Sequence, residues 1–294
     1  MKKILLVYNP VSGHAAFKSK LDEIIESFQR RGILLSMYRT QKGDNADFDK
    51  CVSASHADGI IAAGGDGTLH LAVNLMLKSK IELPLGIIGS GTSNDFATYL
   101  EINKNFETYF DSIAQNKTRK IDVGLVNDSE YFINVASAGA FTSIAHEVNV
   151  KLKNSFGKLA YYIQSLGELS NFKPVTLQVN TDGINFEFEA FLFIVLNSGA
   201  VAGIKRVADF AKIDDGKLDL IAIKKCSLNN VIKLMRSFFT GKGVDLNNEN
   251  IFHQQSEKFF IQSSAPLTSD IDGEIGSSLP IEIKTVNKAI DFFV

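Results

Sequence analysis

The sequence has no tryptophan, five prolines and only two cysteines in 294 residues. Cys51 and Cys226 lie far apart and form no metal-binding or redox motif, which excludes a disulfide scaffold and a cysteine-built metal centre. They read as ordinary thiols of a reducing cytoplasm. Long hydrophobic runs are also missing, and none approaches the ~20 residues that a helix needs to span a bilayer. The opening MKKILLVYNPVSG carries two lysines and a short apolar run, but Asn9 and Pro10 cut it too early for a secretory signal. No charge sign dominates. With 31 basic and 33 acidic residues the net charge is −2, which gives no electrostatic footprint for nucleic acid. There is no low-complexity linker and no internal repeat.

What is present is material for a core. Hydrophobic residues make up 45% of the chain, and 22 of its residues are phenylalanine, so global disorder is excluded. The length fits one large domain or two ordinary ones. The pattern divides it in two. From residue 1 to 125, short apolar runs (KILLVY, ILLSMYRT, GIIAA, PLGIIG) alternate with helical periods (FKSKLDEIIESFQRRG, LHLAVNLMLKSK). That alternation predicts an α/β domain with a parallel sheet and helices on both faces. From 126 to 294 the chain reads as strands and hairpins, among them NTDGINF with an Asp-Gly turn. Helical periods over SFGKLAYYIQSLGELSNF and NNVIKLMRSFFTGKG interrupt it. This half is expected to be a mainly antiparallel β-sandwich whose last strand returns toward the first domain.

The chemistry falls where the parallel strands end. YNPVSG follows the first strand, Arg39 and Thr40 the second, GGDGT the third and GSGTSND the fourth. In open parallel sheets ligands bind beyond the carboxyl ends of the strands. Glycines there let backbone N–H groups approach an anion, and a following helix presents its positive end. Four such tips in series predict a nucleotide phosphate site, although no Walker lysine is present. Asp66 stands in the third loop. A carboxylate beside phosphates is favourable if Mg²⁺ lies between them or if it joins proton transfer; it could equally cap the helix that follows. Asp95 poses the same choice.

At this spacing GGDGT and PLGIIGSGTSNDFA resemble the catalytic domain of diacylglycerol-kinase-type lipid kinases, in particular the YegS/BmrU-like bacterial group. NPVSG, SFGKLAYYIQSLGEL, AKIDDGKLDLIAI and DIDGE extend the likeness over nearly the whole chain. GGDG alone is shared with NAD kinases and phosphofructokinases, whose fold the first domain is expected to share. The resemblance implies nucleotide contacts from Asn9, Ser12, Gly13 and Thr40, and phosphate binding by Gly64, Gly65, Asp66, Gly67 and Thr68. Asp66 would stand near a catalytic Mg²⁺, Thr92 would assist, and Asp95 would support the metal network. Glu274 would take the proton from a lipid hydroxyl. A structural Mg²⁺ would use the Asp215 carboxylate and the carbonyls of Lys212 and Lys217. By their residue types alone, DIDGE and KIDDGKLDL are equally at home as solvated turns.

The chain departs from the family at His70, Leu71 and Leu75, where asparagine, glutamate and glycine are usual. Leu71 removes a charge near the site, and His70 is expected to be a surface or supporting histidine. The segment NSGAVAGIKRVADFA has lost glycines and a proline beside the acceptor cleft, so the acceptor need not be diacylglycerol itself. Val231, Leu234, Met235 and Phe238 form one apolar helix face with Lys233, Arg236 and Lys242 around it. That suits either an interfacial helix or a helix packed on the sandwich. The expected protein is an ATP-dependent lipid kinase in the cytoplasm that meets its lipid at the inner membrane surface, and a homodimer is compatible with it. The alternatives are an NAD-kinase-like enzyme with a soluble acceptor and a nucleotide sensor without catalysis.

Overall fold

The computed structural model describes residues 1–10, 20–89, 91, 94–102, 105–139, 173–201, 204, 207–240 and 242–294. The chain forms two compact units. The first comprises Met1–Val123 and Asn287–Val294; the second is Gly124–Val286.

The first unit is built on parallel strands. β1 (Lys2–Tyr8) lies between β2 (Ile33–Arg39) and β3 (Gly59–Gly64), and β3 pairs in parallel with β4 (Leu85–Gly89). The central strands are continuous apolar runs because both faces are covered; every residue of β3 is buried. α1 (Leu21–Arg30), α2 (Phe48–Ser55), α3 (Asp66–Lys78), α4 (Asp95–Tyr99) and α5 (Phe106–Ala114) complete the layers. α3 buries Leu69, Ala72, Val73 and Met76, the i, i+3, i+4, i+7 stripe of a core-facing helix. α1 and α5 are joined by Arg31. Its guanidinium reaches Glu107 at 2.8 Å and Asp111 at 2.7 Å, while Nη1 donates to Ser27 Oγ at 2.7 Å.

The second unit is antiparallel. β7 (Val135–Gly139), β8 (Val175–Thr181) and β9 (Ile184–Leu196) form its centre, with β9 between the other two. β10 (Leu218–Lys224) pairs with β9 and with β11 (Ile251–Ser256). β12 (Lys258–Ser263) pairs with β8, and the hairpin of β13 (Thr268–Ile271) and β14 (Glu274–Ser278) joins through β7. β5 (Thr118–Val126) and β15 (Ile281–Phe293) begin in one unit and end in the other, and β6 (Glu130–Phe132) pairs with the end of β5. Asp182-Gly183 makes the expected turn with φ of 51° and 77°. Phe193, Val195, Leu220, Phe259 and Ile261 centre the main core.

α6 (Leu228–Phe239) settles one of the two readings of its apolar face. Val231, Leu234 and Met235 are buried against Ile221, Ile223 and Ile251, so the face packs on the sandwich and is not free to lie on a membrane. Of the two readings of His70, the surface one is excluded: it is 7% exposed, and Asn74 Nδ2 donates to its carbonyl at 3.1 Å. The helical period over 155–172, Ser12, Gly13, Thr92 and part of the eroded segment at 197–211 lie outside the described residues. α2 and α5, eight and nine residues long, span little more than two turns and carry too short a pattern to be read from sequence periodicity.

Candidate functional site

In the first unit the strand ends fall level. Tyr8 pairs with both Arg39 and Ala63, and Gly64 pairs with Gly89. Asn9 leaves β1 there, and Thr40, 5% exposed, donates its N–H to the Tyr8 carbonyl at 3.0 Å. The parallel register, set by the buried runs, therefore brings Asn9, Thr40 and the glycine loop to one edge.

The glycine loop has a defined construction. Gly64 ends β3, Gly65 occupies the cap position of α3 with φ −92° and ψ −170°, and Asp66 is the first helical residue. Asp66 therefore does not occupy the cap position. Its Oδ1 faces the first turn of α4, where the Phe96 N–H donates at 3.5 Å. Thr68 is buried, and its N–H donates to the Gly65 carbonyl at 3.0 Å. A Cβ on Gly64 would stand 2.2 Å from Thr68 Oγ1. The third and fourth tips touch: a Cβ on Gly91 would stand 2.5 Å from the Gly65 Cα. Asn94 holds that approach, since its side chain accepts from the Gly91 N–H at 2.8 Å and donates to the Gly91 carbonyl at 2.9 Å. Asn94 itself has φ 50°, a left-handed conformation that asparagine tolerates. Asp95 follows as the first residue of α4. Gly67 is exposed. The outcome is a pair of glycine tips in backbone contact, with a carboxylate at the start of each following helix.

Two partly exposed carboxylates are a hard-oxygen donor set. They suit Mg²⁺, which is commonly held by one or two carboxylates together with substrate phosphates and water. Among the described residues no group of three or more His, Cys, Asp or Glu could form a complete protein cage.

In the second unit Glu274 is the exposed first residue of β14, paired with Ile271 across the Asp272-Gly273 turn. Asp272 carries φ 51° and Gly273 φ 93°, the pattern of a type I′ hairpin turn. The Asp270 carboxylate accepts the Gly273 N–H at 3.0 Å. Asp272 is 9% exposed and accepts three backbone N–H groups, from Ile133 at 2.8 Å and from Asn134 and Val135 at 2.9 Å. That role was invisible in the sequence, since its partners lie nearly 140 positions away. Asp215 accepts the Lys217 N–H at 3.0 Å and approaches Gln255 Nε2 at 3.3 Å. The Asp215 side chain and the backbone of Lys212 and Lys217 therefore share one exposed loop. Sequence reasoning also passed over Asn94, although its place inside the GSGTSND loop was the available signal.

These features define a class: an α/β protein whose packed glycine tips suit phosphate, followed by an antiparallel sandwich. Comparison with known proteins narrows it. Residues 3–126 match the diacylglycerol kinase catalytic domain, and residues 134–294 match the YegS C-terminal NAD kinase beta sandwich-like domain. The chain belongs to the bacterial diacylglycerol-kinase-type lipid kinase family. The diacylglycerol kinase of Bacillus subtilis (strain 168) is 32% identical over 292 residues, covering 99% of this chain and 95% of that protein. The diacylglycerol kinase of Staphylococcus aureus (strain JH9) is 33% identical, with 99% and 92% covered. A crystal structure of a diacylglycerol kinase from Bacillus anthracis str. Sterne superimposes with a TM-score of 0.75 at 26% identity, covering 99% of this chain and 96% of that one. Among the described residues no helix is long and apolar enough to cross a membrane.

Proposed function

We propose that this protein transfers the γ-phosphoryl group of ATP to the hydroxyl of a lipid, diacylglycerol or a close relative, at a membrane surface. The observation that carries the nucleotide part is the backbone contact of the Gly65 and Gly91 tips at the start of α3. It presents a helix N-terminus, which is attractive to a phosphate chain. The lipid part rests on the family and on the printed names of its relatives. Asp66 and Asp95 would hold Mg²⁺ against the phosphates; the ion, when bound, neutralises their charge. Glu274 would take the hydroxyl proton. The lipid oxygen bonds to the γ-phosphorus as the bond to the β,γ-bridging oxygen breaks, and ADP leaves. Catalysis of this kind is mostly positioning and charge neutralisation.

The test is incubation with γ-labelled ATP, Mg²⁺ and a total lipid extract from the source cell, followed by identification of the labelled product. A labelled phospholipid supports the proposal. Label in NADP⁺ when NAD⁺ is offered, with none in lipid, would replace it by the soluble-acceptor reading. Nucleotide binding with no transfer to either would leave a sensor.

A further inference from the structure

An acid at the tip of a β-hairpin is ordinarily a mobile group in water, and a general base must instead be held in place. The β13–β14 hairpin resolves that conflict through its preceding residue. The geometry points to Asp272 as the positioning residue for Glu274: it anchors the hairpin tip to the 133–135 segment and so fixes where the Glu274 carboxylate stands. This rests on the reading of Glu274 as proton acceptor.

The Asp272 carboxylate receives the N–H groups of three consecutive residues, Ile133, Asn134 and Val135, at 2.8–2.9 Å. Its own N–H donates to the Val135 carbonyl at 2.9 Å, so side chain and main chain grip the same segment. The Asp272 φ of 51° is the left-handed conformation that an Asp-Gly type I′ turn requires.

The gripped segment is itself rigid. Asn197 Nδ2 donates to the Ile133 carbonyl at 2.8 Å, the Asn197 N–H donates to the Asn134 carbonyl at 2.8 Å, and Ser198 Oγ donates to Asn134 Oδ1 at 2.7 Å. Asn134, Asn197 and Ser198 are all at least 97% buried. Ile271, fully buried, ties the other side of the turn into the core. Glu274 thus follows a turn whose every residue is fixed, two positions from a buried polar node, while its own side chain stays exposed.

A double-mutant comparison tests this, with turnover expressed per folded enzyme and nucleotide affinity measured separately. Glu274→Gln alone should slow transfer by roughly 10² to 10⁴. Asp272→Asn turns an acceptor toward a backbone donor and loosens the tip; it should slow transfer by about 10- to 100-fold, the scale of a misplaced reacting group, with unchanged ATP affinity. The decisive strain carries both changes. If Asp272 works through Glu274, it turns over within about threefold of Glu274→Gln alone. Multiplying losses would reduce Asp272 to a scaffold residue, and normal turnover in Asp272→Asn would overturn the inference outright. Normal turnover in Glu274→Gln would instead sink the reading of the base, which is a separate outcome. Should Asp272→Asn not fold, Ser198→Ala removes one bond behind the same segment. Its smaller loss, of a few-fold, should vanish in the Glu274→Gln background, and its persistence there would overturn the inference.

Discussion

At the scale of single residues, the glycine loop separates charge from packing. Asp66 is partly exposed, and its Oδ1 accepts a long 3.5 Å bond from the Phe96 N–H. Asp66→Ala removes a polar group outside the buried apolar core, so the protein should still fold. Transfer should fall by about 10² to 10³ or more, as when a group aimed at transition-state charge is removed. Thermal unfolding and turnover of the same preparation check both; near-normal turnover with Mg²⁺ present would remove Asp66 from the mechanism. Gly91→Ala should behave in the opposite way. Its Cβ meets the Gly65 backbone at 2.5 Å, and a backbone cannot swing aside as a side chain can. The expected loss is about 1 to 3 kcal/mol of stability, together with weaker ATP binding as the tips separate. An unchanged melting temperature and nucleotide affinity would show that the two tips do not press on one another. The sequence made Asp66 and the glycines legible because loop motifs are local. It could not reveal the contact between residues 65 and 91 or the grip of Asp272 on residues 133–135, since both arise from strand order.

At the scale of elements, local pattern served well where runs were long. β1 to β4 and α3 carry continuous or 3.6-periodic apolar sets and were readable; α2 and α5 span eight and nine residues and were not. The attachment of α5 involves long-range pairs, those of Arg31 with Glu107 and Asp111. The hydrogen bond from Arg31 holds the Glu107 carboxyl below its ordinary value near 4.5. A depressed folded-state value stabilises the fold fully above that ordinary value, and the contribution disappears as pH falls through the depressed one. Arg31→Met keeps an unbranched apolar stem and removes the charged guanidinium that stands over Phe110. The wild type should lose melting temperature more steeply than this variant as pH falls from about 5 to 3. Parallel curves over that range would show that the α1–α5 attachment does not depend on this ion pair.

At the scale of the whole molecule, the last eight residues matter more than their position suggests. Asn287–Val294 belongs to the first unit, whose other residues all precede position 124. Phe292 pairs with Leu85 of β4, and its ring meets Phe96 edge-on at 5.0 Å. Phe293 is fully buried and lies where a Cβ on Gly59 would come within 3.0 Å of its ring. The Lys288 N–H donates to the buried Asp122 carboxylate at 2.7 Å. Removing one buried phenylalanine side chain typically costs about 3 to 5 kcal/mol. Two together match or exceed much of the roughly 5 to 15 kcal/mol by which a domain is stable. A chain ending at Val286 keeps the pairing of Ile281–Lys284 with β12, so the second unit retains its last strand. The first unit loses the strand segment that pairs with Leu85 at the start of β4. Limited proteolysis should then cut within residues 1–123 while 124–286 resists, and ATP with Mg²⁺ should no longer raise the melting temperature. Adding the synthetic 287–294 peptide in excess should restore part of that protection, because the segment enters as a strand and not through a covalent constraint. If the shortened chain resists protease throughout and still responds to ATP, the nucleotide unit closes without the returning strand.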